Sequence, residues 1–259
     1  RVTLQRAKVL VLPTAPGIAP ACEGGSAYCT VDSSVVVAPG AVGDTSLELV
    51  PAKLEVSPGG VKFVVAGRVT HRGATELGSL ALTTVLLDAN GGEVGRQPLV
   101  AHPYFSPPLR AGESDVFHLS VDVPAATRSA RLEAGKSDVQ PGATSYGNVG
   151  EYVVTFEPPQ PAHFKVGAVK RSYHSRRLGE KTSLETIVAF ENRGEGVIRT
   201  LEIELRALDE NGKVVDTRTE TLVYSHMPPM GPGERRIKKL TMYADGDPVS
   251  ESVVVTKIE

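Results

Sequence analysis

From Lys53 onward, apolar and polar residues alternate with a period of two. Leu54 and Val56 share one face, and Val61, Phe63, Val65, Gly67 and Val69 share the next, with Lys62, Arg68 and Thr70 opposite. Successive side chains of a strand point to opposite faces, so this alternation predicts half-buried strands. The next strand, with Leu80, Leu82 and Leu86 inward, runs into Leu87-Asp88-Ala89-Asn90-Gly91. Asp-x-Asn-Gly between apolar runs marks a hairpin, and the tolerance of Asn and Gly for positive φ predicts a primed turn. After it come a proline-marked crossing (Pro103, Pro107, Pro108), a turn at Gly112-Glu113, and Phe117, Leu119, Val121 and Val123 on one face. Short strands at this spacing predict a sandwich.

The same order recurs 121 residues later, where Leu208-Asp209-Glu210-Asn211-Gly212 repeats the hairpin, and Asp88 to Gly112 and Asp209 to Gly233 both span 24 residues. Arg72-Gly73 becomes Arg193-Gly194 and Pro107-Pro108 becomes Pro228-Pro229, without a gap from Phe63/Leu184 to Val123/Ala244. A repeat of this kind predicts one duplicated unit. Outside the window other offsets appear. Pro51–Val56 resembles Pro161–Val166 at 110, implying 11 additional residues around Arg171–Lys181 in the second unit. Val153–Thr155 resembles Val254–Thr256 at 101, implying 20 extra residues in the first unit, placed at Ala134–Gly150. Glu157-Pro158-Pro159-Gln160-Pro161 reads as a semi-rigid spacer, since consecutive prolines favour extended polyproline geometry. The expected organisation is an N-terminal arm over residues 1–50, a sandwich over 51–157, a linker over 158–162 and a second sandwich over 163–259.

The succession of strand, His-Arg-Gly or Asn-Arg-Gly, strand, Leu-Asp-x-Asn-Gly, strand, Pro-Gly-Glu or Ala-Gly-Glu and strand resembles the FxLYD and CARDB families of bacterial extracytoplasmic immunoglobulin-like modules. Leu87 and Leu208 stand where FxLYD modules usually carry Tyr. The resemblance covers Lys53–Thr155 and His163–Ile258 and implies two tandem immunoglobulin-like antiparallel β-sandwiches without a catalytic residue. It also implies a place in a secreted protein, a lipoprotein or an envelope assembly.

Residues 1–50 are Pro-rich and too poor in apolar residues to form a domain, although Val9, Leu10, Val11 and Leu12 make a strand-length run. An ordered arm must be held by contacts beyond itself, because fixing each residue costs roughly 1–2 kcal/mol of backbone entropy. Val9 and Val11 are therefore candidate contacts for a strand added to a sheet edge, in the same chain or in a neighbouring subunit. Cys22 and Cys29 flank Glu-Gly-Gly-Ser-Ala-Tyr, a loop flexible enough to close into a disulfide. By the chain-entropy estimate such a bond contributes about 2.5 kcal/mol. A disulfide points to an oxidising, extracytoplasmic compartment: periplasm, outer-membrane surface or secreted.

With 28 basic and 30 acidic residues the net charge is −2, which gives no electrostatic drive toward nucleic acid. No apolar run approaches the roughly 18 residues of a membrane helix. The six histidines have no metal spacing, and no nucleophile elbow, phosphate loop or dinucleotide fingerprint is present. Asp209-x-Asn211-Gly212 fails as a calcium loop, because Val214 stands where such a loop needs Gly. No cofactor and no catalytic set is expected. The densest basic run, Lys170–Lys181, offers Arg171, Tyr173, Arg176 and Arg177 as candidate contacts for an acidic protein or anionic glycan. The alternative for that run is a solvated loop or a charged edge strand that resists aggregation. His102–Pro108 is the most apolar loop and is expected to close the sandwich core. The reading is a non-catalytic structural or interaction subunit, with a protein partner or self-assembly through sandwich edges and loops. Its rival is a carbohydrate- or anionic-ligand-binding module, which needs exposed aromatics in a chain that has no Trp.

Overall fold

The computed structural model describes residues 20, 22, 26–140, 150–160 and 163–259. Among these the fold is all-β, without a helix. The first unit contains β1 (Cys29–Val37), β2 (Thr45–Leu49), β3 (Ala52–Ser57), β4 (Gly60–His71), β5 (Glu76–Leu87), β6 (Glu93–His102), β7 (Glu113–Val123) and β8 (Ser129–Gln140). The second contains β9 (Gly150–Glu151), β10 (Val154–Phe156), β11 (Val166–Leu178), β12 (Lys181–Asn192), β13 (Leu201–Leu208), β14 (Val214–Val223), β15 (Arg235–Asp245) and β16 (Ser250–Ile258). Two sheets arise, a 12-stranded one and a four-stranded one ordered β10-β16-β13-β14. The 12-stranded sheet runs β6-β5-β8-β1-β3-β4-β7-β15-β12-β11-β9, with β2 also on β4. It folds over at β1, whose first half pairs with β3 and whose second half pairs in parallel with β8, which makes the first unit sandwich-like, and in the second unit β11, β12 and β15 share a core with the four-stranded sheet.

Strand register extends the repeat beyond its sequence window. Val61↔Val123 matches Thr182↔Ala244. Thr45↔His71 matches Val166↔Asn192, and Ser57↔Gly60 matches Leu178↔Lys181. Leu80↔Ser137 matches Leu201↔Ile258. The offset of 121 thus holds from Thr45/Val166 to Ser137/Ile258, and the 11-residue insertion does not exist: Arg171–Lys181 occupies the place of Val50–Gly60. The offset of 101 fails as well. Val154–Phe156 pairs with β16 of the second unit, while the last strand of the first unit is β8.

Two expected boundaries move accordingly. Cys29–Leu49 is not an arm, because β1 and β2 are integral strands of the first unit. Nor does Glu157–Pro161 separate the units, since β9 and β10 before it already pair with β11 and β16. Its described part, Glu157–Gln160, follows β10 and precedes β11, in a connection of twelve positions from Val154 to Val166 against eight from Val37 to Thr45 in the first unit. Cys22 and Cys29 are bonded, with Cα atoms 5.5 Å apart, and the bond ties Cys22 to the start of β1. Val9 and Val11 lie outside the described residues. Among the described residues no helix is long and apolar enough to cross a membrane.

The Asp-x-Asn-Gly hairpins are equivalent but not primed. Gly91 and Gly212 have φ of 80° and 75°, whereas among the described residues no non-glycine residue has positive φ. The geometry is a type I turn followed by a left-handed Gly, with the ladder shifting at Leu86/Leu87 and Ala207/Leu208. Asp supplies the rest of the signal: Asp88 Oδ1 accepts from Asn90 N and Gly92 N, each at 2.8 Å, and Asp209 Oδ1 accepts from Asn211 N and Lys213 N, each at 2.9 Å. His71 and Asn192 also play one role. The His71 ring bonds to Thr75 O, and Asn192 Nδ2 donates to the equivalent Gly196 O.

Gly91→Val or Gly212→Val is expected to destabilise the protein by about 1–3 kcal/mol, because a β-branched residue is strained at positive φ. Urea unfolding of each variant checks this, and Asn90→Ala or Asn211→Ala, at negative φ, should cost less.

Candidate functional site

The sequence-predicted contacts do not form one surface. Arg171 is buried at 1% exposure, so it is not a contact for an outside partner. A bulge between Lys170 and Ser172 leaves Arg171 out of the β11–β12 ladder, a device that re-aims a side chain. Tyr173 is half-buried and stacks on Lys170, whose Nζ lies 4.7 Å from that ring, 4.6 Å from the Tyr152 ring and 3.0 Å from Glu251. Burial, with the Glu251 carboxylate beside it, pushes both phenols above their ordinary range. Arg176 and Arg177 are exposed farther along the hairpin, and Arg177 pairs with Asp247.

Arg171 points across the junction of the two units. There β7 and β15, equivalent strands, pair in parallel through Glu113↔Arg235 and Ser114↔Arg236. The join brings the outer face of one unit against the core of the other. Ile187 and Ile237, on the sides of β12 and β15 opposite Val188 and Leu240, pack with Val69, Leu77, Leu109 and Phe117 of the first unit.

Glu113 and Glu234 are equivalent at the 121 offset, and each carboxylate accepts from its own turn, Arg110 N at 2.8 Å and Gly231 N at 2.9 Å. Each also takes a guanidinium from the opposite unit. Arg171 Nη1 lies 2.8 Å from Glu113 Oε2, and Arg68 Nη1 bonds Glu234 Oε2. Arg171 further donates to Pro108 O at 3.1 Å and lies 3.5 Å from Glu76. Arg236 bonds Glu234 at 2.7 Å and Pro228 O at 2.7 Å, and its burial pushes the guanidinium pKa down. The lock is thus reciprocal, although neither Arg68 nor Arg171 has an arginine at its equivalent position, Ala189 or Val50.

Two clefts flank this junction. The larger, about 340 Å³, lies between the loop Tyr104–Pro108 and the outer face of β11, β12 and β15. The smaller, about 210 Å³, lies between Asp115 and Val116 of the first unit and Phe190, Tyr224 and Met227 of the second. The aromatic loop does not close the core as expected: His102 is buried and bonds Asp115 at 2.8 Å, but Tyr104 and Phe105 are 84% and 72% exposed. Their ring contact is edge-on, with centroids 5.5 Å apart. Among the described residues no group of three or more His, Cys, Asp or Glu is arranged to hold a metal ion.

Fold and site together define an all-β protein of two sandwich-like units fused side by side, with a cleft at each side of the seam. Compared with known proteins, the chain matches no protein-family model and no curated sequence.

Arg171→Met is expected to lower stability by about 3–5 kcal/mol, because it strands the buried Glu113 charge. Adding Glu113→Gln should restore most of that loss, a non-additivity that a double-mutant cycle in urea reads directly. Losses that simply add would show that the two residues do not act as a pair.

Proposed function

We propose that this protein is a non-catalytic extracytoplasmic subunit that presents sheet edges to a protein partner or a second copy in an envelope or cell-surface assembly. The disulfide supports the compartment, since such bonds persist where the environment is oxidising. The motif order quoted above supports kinship with FxLYD- and CARDB-like modules.

The observation that carries the reading is the outer edge of β14. This strand ends the four-stranded sheet, and among the described residues its only ladder partner is β13. A strand end-on in a sheet offers a row of unpaired N–H and C=O groups to an incoming strand. Edges are commonly blunted by proline, by charged residues and lysine above all, by bulges or by glycine kinks. Its equivalent β6 carries Gly95 and Pro98. The ten residues of β14, Val-Val-Asp-Thr-Arg-Thr-Glu-Thr-Leu-Val, carry no proline, lysine or glycine, and its ladder shifts only near its two ends, which leaves the Asp216–Thr221 stretch regularly paired. Thr217 and Thr219 are exposed, and the charges nearby are self-compensated, with Arg218 2.7 Å from Glu220. The junction supports the same reading, because a seam locked by buried ion pairs holds the two sandwiches as one rigid body.

Thr217→Lys with Thr219→Lys tests this. The wild-type protein, isolated under native conditions from its own source, is expected to run above monomer mass, and the double variant at monomer mass with an unchanged melting temperature. A wild-type protein that is monomeric in that preparation, or a variant that keeps the larger species, would refute the edge as the docking surface.

A further inference from the structure

We infer that the larger cleft at the seam is a binding site for a neutral saccharide, with Tyr104 and Phe105 as its stacking wall and a polar floor supplied by the second unit. This goes beyond the strand-edge reading and uses different residues, so either can fail alone.

The wall is built, not incidental. Tyr104 and Phe105 are the most exposed large aromatics among the described residues, yet they sit on a braced turn. Ser106 N donates to Pro103 O at 2.9 Å, and Pro108 O receives the buried Arg171. Exposed rings held on a rigid support are what stacking requires, because little side-chain and loop entropy is then lost on binding.

The floor is polar and ordered by strand register. Ser172 stands opposite Ile187, which stands opposite Lys239, and two residues along His174 stands opposite Glu185. Alternation puts these side chains on one face of the sheet. Lys239 Nζ pairs with Glu185 at 2.9 Å, and Asp138 enters from the end of β8 on the opposite wall. Ser172 also lines the cleft, but its hydroxyl oxygen is itself buried, so the polar groups that face a ligand are those of His174, Glu185, Lys239 and Asp138.

These features select a ligand class. A pyranose has an apolar C–H face and a rim of hydroxyls that both donate and accept, so it can stack on a ring while its rim meets carboxylate, imidazole and ammonium. At about 340 Å³ the cleft sits at the lower end of the roughly 300–1,000 Å³ range of ligand pockets. A phosphorylated or sulfated ligand is disfavoured, because Lys239, the one lysine among the described lining residues, is already paired with Glu185, and Asp138 adds a negative charge. A lipid or apolar peptide is disfavoured by the polar floor.

The test is amide chemical-shift mapping of the isotopically labelled full chain. Maltotriose, cellotriose and chitotriose serve as neutral probes, a sulfated heparin oligosaccharide as an anionic one, and a Leu-Pro-Thr-Ala-Pro-Gly-Ile-Ala-Pro peptide as a polyproline one. At least one neutral trisaccharide is expected to cause saturable shifts at Gly78, Ser106 and Asp138. Tyr104→Ala with Phe105→Ala should weaken that binding about tenfold or more, the equivalent of 1.4 kcal/mol or more. The same variant should keep the wild-type melting temperature, since both rings are exposed. Absence of saturable shifts with all three trisaccharides, equal binding by the variant, or binding of only the heparin oligosaccharide or only the peptide would each overturn the assignment.

Discussion

The structure depends on burying charge at the seam without leaving it unpaired. A carboxylate removed from water is tolerated only when its oxygens are satisfied, and the cost of one stranded partner is several kcal/mol. Glu113 and Glu234 meet this condition twice over, each accepting a backbone N–H from its own turn and a guanidinium from the other unit. The turn bonds belong to the duplicated unit. The cross-unit arginines do not, because Arg68 and Arg171 arise at non-equivalent positions. The turn-capping carboxylate is thus common to both units, while its cross-unit partner differs between them.

Apolar packing alone would not have fixed that geometry. Ile187 and Ile237 fill the open end of the first unit's core, but hydrophobic contact is non-directional and tolerates sliding. Directed bonds across the seam at Glu113, Glu234 and Pro108 O set the register. With the register fixed, the braced loop at Tyr104–Pro108 faces a defined row of side chains across the larger cleft.

Much of this fold was legible in the chain, for identifiable reasons. Turn chemistry is local, so Asp88/Asp209 and Gly91/Gly212 marked equivalent hairpins correctly even though the turn proved to be type I with a left-handed Gly. Offsets of 110 and 101 misled because short alternating strands resemble one another at many shifts, and only pairing separates them. The seam was harder. Arg171 carried the signature of a solvated basic loop, since nothing in a sequence tells a bulged, buried arginine from an exposed one. A usable signal did exist in Ile187-Val188-Ala189-Phe190, four consecutive apolar residues in a strand otherwise expected to alternate, which is the mark of burial on both faces. The exposure of Tyr104 and Phe105 had no such signal, because an apolar loop that closes a core and one that lines a cleft are composed alike.

Calorimetric unfolding of the disulfide-intact chain tests the central claim, that the two units are one locked body. A seam of buried ion pairs and shared core predicts a single endotherm whose calorimetric and van't Hoff enthalpies agree, as for one cooperative unit. Two resolved endotherms, or one whose calorimetric enthalpy is about twice the van't Hoff value, would mean that the sandwiches melt independently and that the seam does not bind them.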